Sequence, residues 1–259
     1  MVPPGYSHVD YPLSPRQIVA LSQARLYIAV GHPAFELETV RLFPFFASLP
    51  KLQVVNMSAG LESLPGWVHG GAAGESPSGH DEGDPHVWVA PQTVAVAARN
   101  IERALAALDP PHAAEYRANL RAFEGDIARL DREIRARLAP VRGGKFMVYH
   151  PTWGYFAREY GLQEIAIENE GKEPSAARLM QLVEMARRDG VRAVFVQGGF
   201  PRKSALVIAD AVGGRVAIAD PQDRDWLGNL RRVAAEFQRA LSPVPRSAPA
   251  ARASHVARR

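Results

Sequence analysis

The chain has 259 residues, 47% of them hydrophobic, enough to bury a sizeable core in one large domain or two of ordinary size. It contains no cysteine, which excludes disulfides, thiolate metal sites and cysteine nucleophiles; any metal must be held by nitrogen and oxygen. The formal charge of +4 equals the four arginines of the acid-free segment 242–259 (Arg246, Arg252, Arg258 and Arg259), so the body is near neutral and nothing in it asks for a nucleic-acid partner.

In chain order, "MVPPGYSHVDYPLSP" has neither the charged nor the apolar region of an export signal, and no later run approaches the roughly 20 apolar residues of a membrane span. Ser14 and Pro15 then open a helix over "PRQIVALSQA". The short apolar runs "RLYIAV" and "LQVVN" read as buried parallel strands. A Gly- and Ser-rich stretch between His69 and His80 reads as a loop. "APQTVAVAARNIERALAAL" is helical and passes through "DPPH" into a second helical stretch. There Tyr116, Leu120, Phe123, Ile127, Leu130 and Ile134 recur at spacings of four and three, one apolar stripe opposite a charged face.

At 1.5 Å per residue, a helix over 112–138 reaches about 40 Å, long for one small domain, and reads as a strut between two lobes. "APVRGGK" ends the strut. Beyond it "KFMVY", "QEIAI", "AVFVQ" and "RVAIA" alternate with the helical segments "PTWGYFAREY", "PSAARLMQLVEMARRDG" and "RKSALVIADAVGG", the signature of α/β units with right-handed crossovers. The expected fold class is α/β: two lobes with parallel sheets joined by one long backbone helix. The expected divisions are an N-terminal lobe over 1–110, a linker helix over 111–140, a C-terminal lobe over 141–241 and a disordered basic tail over 242–259. The competing arrangement is a short antiparallel helix pair flanking a single sheet.

Of the eight histidines, two have settings that favour ligation. His86 lies in "DPHVW", where Asp84 and Pro85 define a turn and apolar residues follow, so its ring is presented from a rigid corner. His150 follows the strand "KFMVY" at the edge where open α/β sheets bind ligands, and Asp220, after "RVAIA", occupies the corresponding edge of the same lobe. His32, in "VGHPAFE", also follows a strand and is a competitor. His8 sits near a chain end. His69 and His80 flank the Gly-rich loop, His112 starts the strut, and His255 lies in the tail. Gln197 and the "GGFPRKS" turn line the second lobe.

At these residues the chain resembles the zinc-binding substrate-binding proteins of bacterial ABC-type metal uptake systems. "VPPGYSHVDYPLSPRQIVALSQARLYIAVG" is similar to that family's first ligand loop and following strand. "GDPHVWVAPQ" is similar to its second ligand motif, "VYHPTWGYFAREYGLQEIAIENEGKEPSA" to its third, and "RVAIADPQDRDW" to its fourth. The resemblance implies two α/β lobes joined by one long helix and a metal held in the cleft between them. It also implies delivery of the metal to an ABC permease in the inner membrane from a periplasmic or extracytoplasmic location.

By the same resemblance the ligands are His8, His86, His150 and Asp220, with His32 outside the set and 69–82 a short metal-gathering loop. Three imidazoles and one carboxylate suit tetrahedral Zn²⁺, carried as cargo, with Zn–N of about 2.0–2.1 Å. Manganese prefers more oxygen. The family also implies a strand and helix before the first ligand loop, so the expectation is a start downstream of the native one and a first lobe lacking both. The chain is expected to act as a monomer. The rival reading is a zinc-dependent hydrolase with an open metal site and a general base among Glu168, Glu170 and Glu173; a manganese-binding transporter component is a further alternative.

Overall fold

The computed structural model describes residues 2, 11–65, 83–168, 172–198, 200 and 202–242. His8, the loop holding His69 and His80, Glu170 and the tail beyond 242 lie outside them. Eight α-helices and six strands are ordered along these residues. Helix α1 (Pro15–Ser22) begins as its sequence dictates: Ser14 caps it, and the Gln17 side chain reaches back to the Ser14 backbone to complete a capping box. Strands β1 (Leu26–Ala29) and β2 (Gln53–Asn56) pair in parallel, Ala29 opposite Asn56.

Between β1 and β2 lies an element that the sequence reading left without a shape: a π-helical turn (Leu37–Leu42) running into the short helix α2 (Phe43–Phe46). The turn buries Glu38, whose carboxylate accepts the N–H groups of Val30 (2.8 Å) and Gly31 (2.9 Å) and the Tyr27 hydroxyl (3.2 Å). The chain leaving β1 toward His32 is thereby fixed.

Helix α3 (Pro91–Leu108) and α4 (Ala113–Leu138) are joined by a 3-10 turn at Pro110–His112. The 26 residues of α4 reach about 39 Å. Its C-terminal half buries Ile127, Leu130, Ile134 and Leu138. α4 packs on α3 on one side and on α8 (Trp226–Leu241) on the other, so it ties the first set of elements to the second. A helix pair and two sheets therefore coexist.

The second sheet has the order β4-β3-β5-β6, all parallel: β3 is Lys145–Val148, β4 Gln163–Ala166, β5 Ala193–Val196 and β6 Arg215–Ile218. The central strand β5, "AVFV", is buried at every residue, as a strand covered on both faces must be. Helices α5 (Gly154–Tyr160), α6 (Ala176–Asp189) and α7 (Lys203–Val212) link these strands. Helix α8, which the sequence reading did not single out, covers one face with Leu230, Val233, Ala234 and Phe237. The Phe237 ring stacks on Phe195 at 4.2 Å and meets Phe146 edge-on at 4.5 Å. No described helix is long and apolar enough to cross a membrane.

Candidate metal centre

The His86 corner is built from its own sequence. Asp84 Oδ1 accepts both the His86 backbone N–H (2.8 Å) and the ring at Nδ1 (2.7 Å), an Asx turn that turns its side chain onto the imidazole. Pro85 shapes the turn, and Val87–Val89 then form a 3-10 turn with Val87 and Val89 buried. Gly83 makes the approach possible: its φ is +80°, and a Cβ there would overlap the Ser63 hydroxyl and the Leu64 carbonyl. Two indole bonds anchor Trp88, its own Nε1 donating to the Pro221 carbonyl (2.9 Å) and Trp226 Nε1 donating to the Trp88 carbonyl (2.7 Å).

His150 stands just beyond β3. Its Nδ1 lies 2.7 Å from Glu168 Oε1, and Glu168, two residues past the end of the neighbouring β4, is only 5% exposed. Gln197, past the end of β5, donates from Nε2 to the His150 carbonyl and to Thr152 Oγ1 (3.0 Å). Glu164 Oε1 accepts the N–H groups of Thr152 (3.0 Å) and Trp153 (2.9 Å), closing the turn after His150.

The two imidazoles come from the two sides of the molecule and meet with ring centroids 5.2 Å apart and planes at 79°. A tetrahedral ion at 2.0–2.1 Å from one nitrogen of each ring holds the centroids about 5.2 Å apart, so the pair is spaced for a shared ion. A carboxylate oxygen only accepts, so the proton sits on Nδ1 in each ring and Nε2 carries the lone pair that a metal needs. Burial pushes the His86 imidazole below its ordinary value; Asp84 opposes the shift, and His150 and His32 add to it. The neutral ring is the form that ligates.

His32 is thus brought into the neighbourhood of His86, but as the opposite tautomer. The Ala34 N–H can only donate, to His32 Nδ1 at 3.3 Å, so the proton is on Nε2, which lies 3.0 Å from Ser63 Oγ. Both ring nitrogens are engaged by groups of the first lobe. Asp220 follows β6 at the same sheet edge as His150, its Oδ1 accepting the Gln222 N–H at 2.9 Å. Its neighbour Pro221 receives the Trp88 bond, so the Asp220 turn is tied to the His86 segment.

Glu168, expected as a possible base in a solvated loop, is instead buried against His150. Glu173 is exposed and accepts the Ser204 hydroxyl. Among the described residues no group of three or more His, Asp or Glu side chains could hold a metal ion, so Asp220 is not gathered with His86 and His150. Sequence reasoning missed the orienting carboxylates: Asp84 two residues before His86 was legible as a local turn, whereas the partnership of Glu168 with His150 spans two strands.

Fold and site together define a class: a two-lobed α/β protein with carboxylate-held imidazoles meeting where the lobes join. Residues 1–240 match the family described as ZnuA, zinc-uptake complex component A, periplasmic, and the chain belongs to that family.

A crystal structure of ZnuA superposes with a TM-score of 0.83 at 35% identity, covering 93% of this chain and 89% of that one. A ZnuA deletion mutant with zinc bound matches with a TM-score of 0.83 at 35% identity, over 94% and 89%. The zinc uptake protein ZnuA of Brucella abortus is 33% identical over 143 residues, 54% of this chain and 42% of that protein. The matched stretch thus spans about two fifths of that curated relative's length.

Proposed function

We propose that this chain captures one zinc ion between its lobes through His8, His86, His150 and Asp220, and hands it, outside the cytoplasm, to the permease of an ABC-type uptake system. The observation that carries this reading is the His86–His150 pair at 5.2 Å, each ring held at Nδ1 by a buried carboxylate. Such carboxylate–histidine pairs raise ligand basicity and fix the ring that the metal meets. His8 enters by the similarity of its loop to the family's first ligand motif, and Asp220 by its place on the shared sheet edge. The chain works as a monomer over the lobe divisions given above, without a nucleic-acid partner.

Membership of the zinc-uptake family and the zinc-bound relative support zinc as the cargo. The donor set agrees, since imidazole suits zinc better than manganese, which takes more oxygen. Copper binds such sites more tightly in competition, so affinity alone does not identify the cargo. Elemental analysis of the purified protein beside His86→Ala and His150→Ala tests the reading. The expected result is close to one zinc per chain in the parent and little in either variant. A variant that keeps a full equivalent overturns the ligand set.

A further inference from the structure

The hydrogen bond from His150 to Glu168 fixes the tautomer and the edge of the imidazole that faces the carboxylate. A contact on the ring face adds a second constraint, on its plane. Phe200 supplies it: its ring lies 4.9 Å from His150, centroid to centroid, with only 11° between planes. That is the offset-stacked arrangement aromatic rings favour. His86 meets the same imidazole nearly at right angles.

Phe200 is itself anchored, packing on Tyr149 at 5.6 Å and on the apolar cluster that includes Met147 and Val196. From the same turn between β5 and α7, Gln197 bonds the His150 carbonyl and the Thr152 hydroxyl. The turn therefore grips His150 by backbone and by ring.

We propose that Phe200 is a positioning residue for metal capture, its face fixing the His150 imidazole plane and stabilising the metal-loaded ring more than the empty one. This rests on His150 being a ligand. The physical basis is that a coordinated imidazole takes on part of the ion's positive charge, and the face of a phenyl ring is negative. An empty, neutral ring gains less from the same contact. Phe200 thus acts on affinity and on release, beyond its share in packing.

The test compares Phe200→Ala, Phe200→Leu and Phe200→Tyr with the parent and with His150→Ala. Zinc affinity and release rate are read by chelator competition, the Co²⁺-substituted absorption spectrum reports ligand geometry, and metal-free melting reports packing. The expected result is roughly 3–10-fold weaker zinc binding with faster release in both the Ala and Leu variants. Their Co²⁺ bands shift, and the Tyr variant, which keeps the π face, restores parent behaviour. Leu fills much of the same space, so a purely packing role predicts that it rescues; rescue by Leu overturns the proposal. Parent-like affinity and spectra in both Ala and Leu variants, with binding lost in His150→Ala, overturn it while leaving the metal centre standing. Full affinity in His150→Ala removes the metal centre and this inference together.

Discussion

Replacing Asp84 by Asn isolates what the buried carboxylate does for the neighbouring imidazole. The substitution keeps an oxygen for the His86 backbone N–H, now 2.8 Å away, and changes volume little. It removes the charge from a 2.7 Å bond whose partners are 2% and 4% exposed at the side chain, where water offers no substitute. A hydrogen bond to a charged group contributes about 1.5–3 kcal/mol and a neutral one about 0.5–1.5 kcal/mol, so about 1–1.5 kcal/mol of orientation is lost. Lower basicity of the ring adds to this, giving an expected zinc affinity about 10–100-fold weaker, or about 1.4–2.7 kcal/mol. Competition against a fluorescent chelator at pH 7.5 measures it, with metal-free melting as the control for folding. Glu168→Gln acts on the other ring, and because both rings share one ion the two substitutions are expected to couple rather than add. Binding by Asp84→Asn within twofold of the parent, while His86→Ala loses the ion, would refute the reasoning.

Zinc binding is expected to weaken as pH falls, because protons compete for the same Nε2 lone pairs. Burial holds the His86 ring below its ordinary value of 6.5, so its contribution to the loss falls below that pH; equal affinities at pH 7.5 and 5 contradict this. Burial, with Asp84 adding to it, pushes the Glu164 carboxyl from 4.5 up to about 8. The native state then binds that proton more tightly than the unfolded chain, so stability is fullest below about 4.5 and declines as pH rises through about 8. The decline is at most on the order of 5 kcal/mol, and Glu164→Gln removes it. Urea midpoints across pH 4.5–9 that run parallel in parent and variant would rule this out. Gly83→Ala forces a side chain into a φ of +80° against Ser63 and Leu64. It is expected to cost about 2 kcal/mol or more, lowering the melting temperature by roughly 4–8 °C. Unchanged melting would mean that the turn can open without loss.

The sequence by itself determined the local elements, because their signals are local. Ser14 with Gln17 marks the start of α1 within four residues, and the fully apolar "AVFV" marks a strand covered on both faces. The stripe from Tyr116 to Ile134 announces one long helix, and Asp84-Pro85-His86 announces a rigid turn. The π-helical turn at Leu37–Leu42 and the amphipathic α8 were not read: the first rests on the tertiary bonds of Glu38, and the second lies beyond the last strand, where no alternation frames it.

Tertiary structure alone decided which residues meet. His86 and His150 are 64 positions apart and reach 5.2 Å because the parallel sheet places the ends of β3, β4 and β5 on one edge and α4 holds the first lobe against it. The same packing gave Glu168 to His150, stacked Phe200 on its ring and engaged His32 with Ser63. Side-chain partnerships of this kind depend on distances across elements, which the spacing of residues along the chain does not encode.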